Sequence, residues 1–468
     1  MYKSRGSPYP KVRRMSAASA ARDDAPVFTR GSTMRHVAVM TATGSIGLVA
    51  VFAVDFLSLF WVARLGSQDL KAAVGYASQL QFVALSVAIG LTIAISATVS
   101  RALGAGDRQR ARRLAASGLA ITGVVAALLS IVMLLPRDPA LDLLLHARGE
   151  PAAVASRFLA IAVPANIAFS IAMALSGVLR AVGDARRAMY VTLAGAVATV
   201  FTDPLLIFGF GLGVYGAAWA IVLSRLVMLG FGLYGAIRVH DLVSRTRVEA
   251  IRRDLAPIMG IGAPAILANL AMPVAALYVT RVWSDFGVAA VAGGAVVDRV
   301  IPLAFGVVFA LTGSVGPILG QNYGARLMDR VRRTMSDALT LSVGYALLAW
   351  AMLAFAGPAI AAMFDVDGEG ATFIVFFCRY GVAAWVFITC LFVANTVFNN
   401  LGYPLLAMLF NWGRATLGTI PFVVIGARWG GVEGAIVGIG VGAAAFGIVA
   451  TALAFGIVAR LANAIKSK

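Results

Sequence analysis

The chain has 468 residues, of which 60% are hydrophobic and only 13% charged, and it carries a formal net charge of +18. Soluble domains are closer to half apolar and a quarter charged, so a string of soluble domains, which the length alone would allow, is excluded. The charge does not mark a nucleic-acid binder, because the basic residues cluster in short loops between apolar runs.

In chain order, residues 1–34 are basic and polar, with no apolar core of the kind a signal peptide needs. They are expected to form a disordered cytoplasmic tail. Apolar runs then predict membrane-crossing helices over 35–63, 70–99, 113–136, 153–180, 187–209, 214–238, 255–284, 288–320, 332–356, 371–399, 403–427 and 432–462. Each is about the twenty residues that a helix needs to cross roughly 30 Å of hydrocarbon. Lipid offers the backbone no hydrogen-bond partner, so such runs must be helical, and they lack the alternation of barrel strands. The expected fold class is all-α integral membrane, with about twelve transmembrane helices. A first six-helix lobe covers 35–238, a linker 239–254 and a second lobe 255–468. Cys378 and Cys390 share one apolar run, which implies no disulfide framework.

Basic residues orient the helices. With both termini inside, the tails and inner loops hold 28 of the 39 Lys and Arg residues and the outer loops hold 7. The excess places both termini in the cytoplasm.

The two halves repeat. Gly104-Ala105 with Arg112-Arg113 recurs 220 residues later as Gly324-Ala325 with Arg332-Arg333. Gly213-Val214-Tyr215-Gly216-Ala217 returns at an offset of 218 as Gly431-Val432-Glu433-Gly434-Ala435, and Gly183 with Ala188-Met189 returns at 219 as Gly402 with Ala407-Met408. Arg64 with Ala72-Ala73-Val74 matches Arg281 with Ala289-Ala290-Val291 at 217. Six helices per repeat make both halves enter from the same side, as parallel repeats about an axis along the membrane normal.

Ionisable groups inside a bilayer cost several kcal/mol unless paired or hydrated, and are functional candidates for that reason. Asp55 lies eight residues from the outer end of the first helix and Asp203 six from the outer end of the fifth. At 1.5 Å per residue both sit roughly 10 Å below the outer boundary. Thr199 is one turn from Asp203 on the same face. Pro204 has no N–H for the carbonyl of Val200. Two carboxylates, a hydroxyl and a carbonyl can hold a small cation or a proton. The equivalent positions of the second half are Met272 and about Ile420, so only the first lobe carries the pair. Arg225, Asp298, Arg299, Asn269 and Asn395 are candidates for charge partners or cavity lining. Arg225 is a candidate counter-charge to Asp55 or Asp203, and Asp298 a candidate partner of Arg379 or Arg414.

These residues resemble the multidrug and toxic compound extrusion (MATE) family over roughly residues 37–460. The likeness rests on Val54-Asp55 with Arg64-Leu65-Gly66, Leu103-Gly104-Ala105-Gly106-Asp107, Leu179-Arg180-Ala181-Val182-Gly183-Asp184, Asp203-Pro204-Leu205-Leu206-Ile207-Phe208-Gly209 and Gly320-Gln321-Asn322-Tyr323-Gly324-Ala325. It is closer to the DinF-like prokaryotic branch than to the NorM-like branch, whose seventh-helix glutamate is replaced here by Met272. The resemblance implies two lobes around a central cavity, and export of organic, cationic compounds by alternating access against inward protons or sodium. It assigns cation coupling to Asp55 and Asp203. A DinF-like member typically has asparagine at 199 and threonine at 221, where this chain has Thr199 and Ile221. Fewer side-chain oxygens suit a proton better than sodium. No cofactor is expected and the chain is not expected to be an enzyme. It is expected to act as a monomer in the bacterial inner membrane, on small organic cations and not on nucleic acid. A lipid-linked oligosaccharide flippase of the same superfamily is the rival function. An intramembrane aspartyl protease is remote, since no Gly-x-Gly-Asp surrounds Asp203. No G-x-x-x-x-G-K-[ST] motif is present for ATP.

Overall fold

A computed structural model describes residues 26–135, 137–145, 149–243 and 246–467. Among these residues the regular elements are all helical, as the lipid constraint requires. Ten helices are long and apolar enough to cross a membrane, and the bent pair Val288–Ala304 and Gly306–Gly324 makes an eleventh span. Pro404–Lys466, at 63 residues, is long enough for two, and it folds back at Gly430 and Gly431, whose backbone leaves the helix. The twelve expected spans are therefore present. Residues 1–25 of the expected tail lie outside the described residues. Residues 26–34, assigned by sequence to the same disordered tail, are instead docked: Val27–Thr29 form a 3-10 turn, and Ser32 caps the first span.

The spans run Thr33–Ala63, Gln68–Gly104 and Arg108–Leu134, followed by a short helix Arg137–Leu145 that apolar length could not reveal. The fourth is Gly149–Ala162 plus Asn166–Val182. The fifth is Ala185–Pro204, prolonged by a π-turn Leu205–Gly209, and the sixth Val214–Leu233, prolonged by Tyr234–Val239. After the linker come Val248–Asp285, the bent eighth, Met328–Met363, and Gly368–Arg379 plus Ala384–Leu401. Pro404–Ala415 and the long helix Ile420–Lys466 complete the second lobe.

The repeat is visible in the irregularities. The fourth span tightens to 3-10 at Val163–Ala165 and the tenth at Gly381–Ala383, 218 residues on. Gly183 and Gly402 each end a helix in the left-handed region, at φ 101° and 96°, where a Cβ would be strained. Gly213 (φ 56°, ψ −137°) and Gly431 (φ 60°, ψ −141°) open the sixth and twelfth spans alike.

The hydrophobic cores that the two lobes share lie on one side. On the side of the termini, Phe28, Val37, Met40 and Ala185 of the first half share a core with Leu311, Val315, Val397 and Phe398 of the second. Ile258 and Ile261 of the seventh span likewise join a first-lobe core around Ile95, Leu175 and Val178. On the far side each core belongs to one lobe: one around Val62, Phe158 and Ile207, the other around Trp283, Phe305 and Phe373. The molecule is closed at the terminal face and parted at the other.

That closure also follows the duplication. A Cβ on Gly104 would stand 2.0 Å from the carbonyl oxygen of Gln321, and one on Gly324 would stand 2.1 Å from that of Arg101. The repeated glycines let the second and eighth spans cross backbone to backbone. Arg101 donates to the carbonyls of Asn400 and Asn399, both at 2.8 Å, and Gln321, its repeat partner, donates to that of Ala181 at 2.7 Å. At the rim, Asp254 accepts from Ser117 and from two nitrogens of Arg113, while Thr33 donates to Asp337. Ser117 and Asp337 are 220 residues apart, so hydroxyl and carboxylate exchange places between the two clamps.

Candidate functional site in the first lobe

The first and fifth spans pack along their length, and glycine permits the close approach: a Cβ on Gly47 would meet the Thr192 hydroxyl at 2.3 Å. Farther out along the same contact Asp55, Ser58, Thr199 and Asp203 come together. Asp203 is only 2% exposed, and Ser58 donates a hydrogen bond to its Oδ2. Thr199 is buried, but its hydroxyl donates to the carbonyl of Gly195 at 3.0 Å, within its own helix. The hydroxyl that serves Asp203 therefore comes from the first span. Sequence reasoning passed over Ser58, although its place one turn after Asp55 was a usable signal.

Asp55 is exposed. It stands three turns beyond Gly44, on the helix face that touches Ala310 and Ser314 of the eighth span on the closed side. The eighth span bends by 44° at Phe305. Asp55 is the exposed carboxylate of the pair and Asp203, with Ser58 bonded to it, the buried one.

Arg225 reaches the site from the sixth span, and its charge acts on Asp55. Its hydrogen bonds go elsewhere. Nη1 donates to the carbonyl of Ala162 at 2.9 Å and to Oδ1 of Asn166 at 2.7 Å, and the guanidinium lies 5.2 Å from the Phe169 ring centre. The expected counter-charge to Asp55 is therefore a neighbour anchored on the fourth span and not a bonded partner. Asn166 in turn donates to Gln81 at 2.9 Å. Gln81 and Asn166 are further members that sequence reasoning missed.

The second-lobe candidates do not join this site. Asp298 and Arg299 are both exposed. The suggested pairing of Asp298 with Arg379 or Arg414 is not formed: among the described residues no ion pair involves any of these groups. Neighbours in sequence point in different directions on a helix, so proximity along the chain did not supply a partner. Asn269 donates to the carbonyl of Ala265 within its own helix. Asn395 is buried with Oδ1 unpaired. Met272 lies within the seventh span and Ile420 opens the helix after Thr416–Thr419, so the second lobe has no carboxylate at either position.

Comparison with known proteins agrees with the two-lobed fold. The MatE family model matches residues 45–205 and 264–425, one segment in each lobe. A FAD transporter of Shewanella oneidensis is 27% identical over 86% of this chain and 89% of its own length. The multidrug export protein MepA of Staphylococcus aureus is 25% identical over 86% of each. A solved Vibrio cholerae MATE transporter, VcmN, in an aspartate-to-asparagine variant, superimposes with a TM-score of 0.85 at 25% identity, covering 93% of this chain and 98% of that one. With both lobes matched in order and about two thirds of its residues inside the model, the chain belongs to the MatE family of multidrug and toxic compound extrusion transporters.

Proposed function

We propose that this protein exports organic, cationic compounds across the cytoplasmic membrane of a bacterium in exchange for inward protons, with Asp55 and Asp203 as the coupling pair. Both termini then lie in the cytoplasm, and the parted face opens outward. The observation that carries the reading is the Asp55–Ser58–Asp203 cluster, in which an exposed carboxylate stands before a buried one on adjoining helices. A proton arriving from outside meets Asp55 first. Each proton passing inward releases about 2.3 kcal/mol per 100 mV. With both carboxylates ionised the lobe attracts a cationic cargo, and protonation removes that attraction and releases the cargo outward. The absence of equivalent carboxylates in the second lobe confines coupling to the first.

The test is efflux of cationic dyes in proteoliposomes under an imposed proton or sodium gradient. Wild type is expected to respond to the proton gradient, and Asp55→Asn and Asp203→Asn to lose that response. Full proton-driven activity in either variant overturns the reading. The Shewanella relative favours a second reading, in which the cargo is a flavin dinucleotide. FAD belongs in the same cargo panel, and FAD export without dye export decides for it.

A further inference from the structure

We infer that Arg225 is a tethered cation beside the coupling site of the first lobe that restricts this site to protons. This rests on the assignment of coupling to Asp55 and Asp203.

The local backbone builds the receptor for the guanidinium. At Val163–Ala165 the fourth span leaves the α-helix, and the N–H of Asn166 turns to Val163 and Pro164. The carbonyl of Ala162, which that N–H would occupy in a regular helix, accepts the first bond of the 3-10 turn and also accepts from Arg225 at 2.9 Å. Asn166 Oδ1 supplies a second acceptor at 2.7 Å, and its amide is oriented by Gln81. The Phe169 ring supplies a cation–π face. Three contacts on the fourth span therefore fix one positive charge in the lobe.

The anchoring lies on the fourth span, away from the carboxylates. A direct ion pair would hold Asp55 ionised and useless as a proton carrier. A guanidinium held to one side acts on Asp55 only through its field. It balances one of the two carboxylates, so a single proton brings the site to neutrality. A sodium ion would have to enter beside a fixed like charge. It would also find few side-chain oxygens there, since Ile221, one turn before Arg225, offers none. Arg225 is a specificity-determining residue in this scheme, excluding metal cations by charge while leaving the proton path open.

The experiment uses the full purified chain. Arg225→Met and Arg225→Gln are compared with wild type and Arg225→Lys for sodium-dependent shifts in melting temperature, and for sodium-driven export in proteoliposomes. Wild type and Arg225→Lys are expected to show neither effect. The uncharged variants are expected to gain a sodium-dependent upward shift and sodium-driven export that Asp55→Asn abolishes. Folded uncharged variants that ignore sodium while retaining Asp55-dependent proton coupling overturn the inference and leave the coupling pair intact. Sodium-driven export by wild type overturns it as well. Proton-driven export that survives Asp55→Asn and Asp203→Asn is the different failure, that of the underlying assignment. If Arg225→Met does not fold, Arg225→Gln keeps the hydrogen bond to Ala162 within reach and answers the same question.

Discussion

Ser58 and Thr199 present the same chemical group to opposite ends of one problem. Ser58 gives its hydrogen to the Asp203 carboxylate on another helix, whereas Thr199 gives it to Gly195 on its own. Ser58→Ala is therefore expected to alter proton-driven transport severalfold, and Thr199→Ala much less, in proteoliposome assays at several pH values. Equal effects would remove the special role of Ser58. A second residue-scale expectation lies outside the membrane, at Asp184 between the fourth and fifth spans. Burial alone would raise its carboxyl, but hydrogen bonds from His240 and from the Arg187 side chain and backbone outweigh burial and hold it below the usual carboxylate range. A depressed carboxyl stabilises the fold fully above the unfolded value of about 4, and the contribution is lost as pH falls below that. Asp184 also caps the fifth span through the Arg187 N–H at 3.0 Å, a role worth about 1 kcal/mol. Asp184→Ala is expected to lower the melting temperature at neutral pH, with the gap to wild type narrowing below about pH 4.

At the scale of elements, each departure from regular helix has a use. The break after Ala162 turns the Asn166 N–H away from the Ala162 carbonyl, which Arg225 then reaches. The bend at Phe305 turns the outer half of the eighth span by 44° from the inner half. The glycines at the helix crossing remove the atoms that would hold the spans apart. Gly104→Ala places a Cβ 2.0 Å from a backbone oxygen that cannot rotate aside. Overpacking of this kind costs about 1–3 kcal/mol or more. The variant should melt earlier and hold its terminal face less tightly. Gly230→Ala is the contrast: it sits within the sixth span, with nothing within 4 Å of the new Cβ. It should be neutral or stabilising by up to about 1 kcal/mol. Equal thermal shifts for the two variants would refute the role assigned to the crossing.

For the whole molecule, alternating access requires the terminal face to open, and the structure identifies what must break. The segment before the first span adds a strap to the symmetric clamps. Phe28 is 2% exposed; its N–H donates to Gln321 at 2.9 Å, and its carbonyl accepts from Asn322 and Arg330. Gln321 at the same time holds Ala181, so one side chain ties the strap and the fourth span to the second lobe. Removing a buried phenylalanine side chain costs about 3–5 kcal/mol, here at a contact made between lobes. Spin labels at the exposed positions Gln109 and Asp329 would report the separation of the terminal face. Phe28→Ala and Gln321→Ala are expected to broaden that distance toward longer values and to raise the population open to the cytoplasm. An unchanged distance distribution in both variants would show that the strap does not hold the face closed.

The number of spans, the duplication and the two first-lobe carboxylates were legible in the residues alone, because each follows from a local property. Apolar length makes a membrane helix, repeated glycine and arginine spacing betrays a repeat, and a charge in an apolar run signals itself by what its burial costs. Direction was not legible. Sequence marked Asp298 and Arg299 as candidate charge partners or cavity lining, yet the fold leaves them exposed and without an ion pair among the described residues, while it joins Asp203 to Ser58, 145 residues away. It anchors Arg225 on a carbonyl at a break in another helix, and it docks residues 26–34 that their composition had assigned to a loose tail. Which helix face meets which, and on which side two lobes touch, depends on packing between segments far apart in the chain, and so only the tertiary structure decided them.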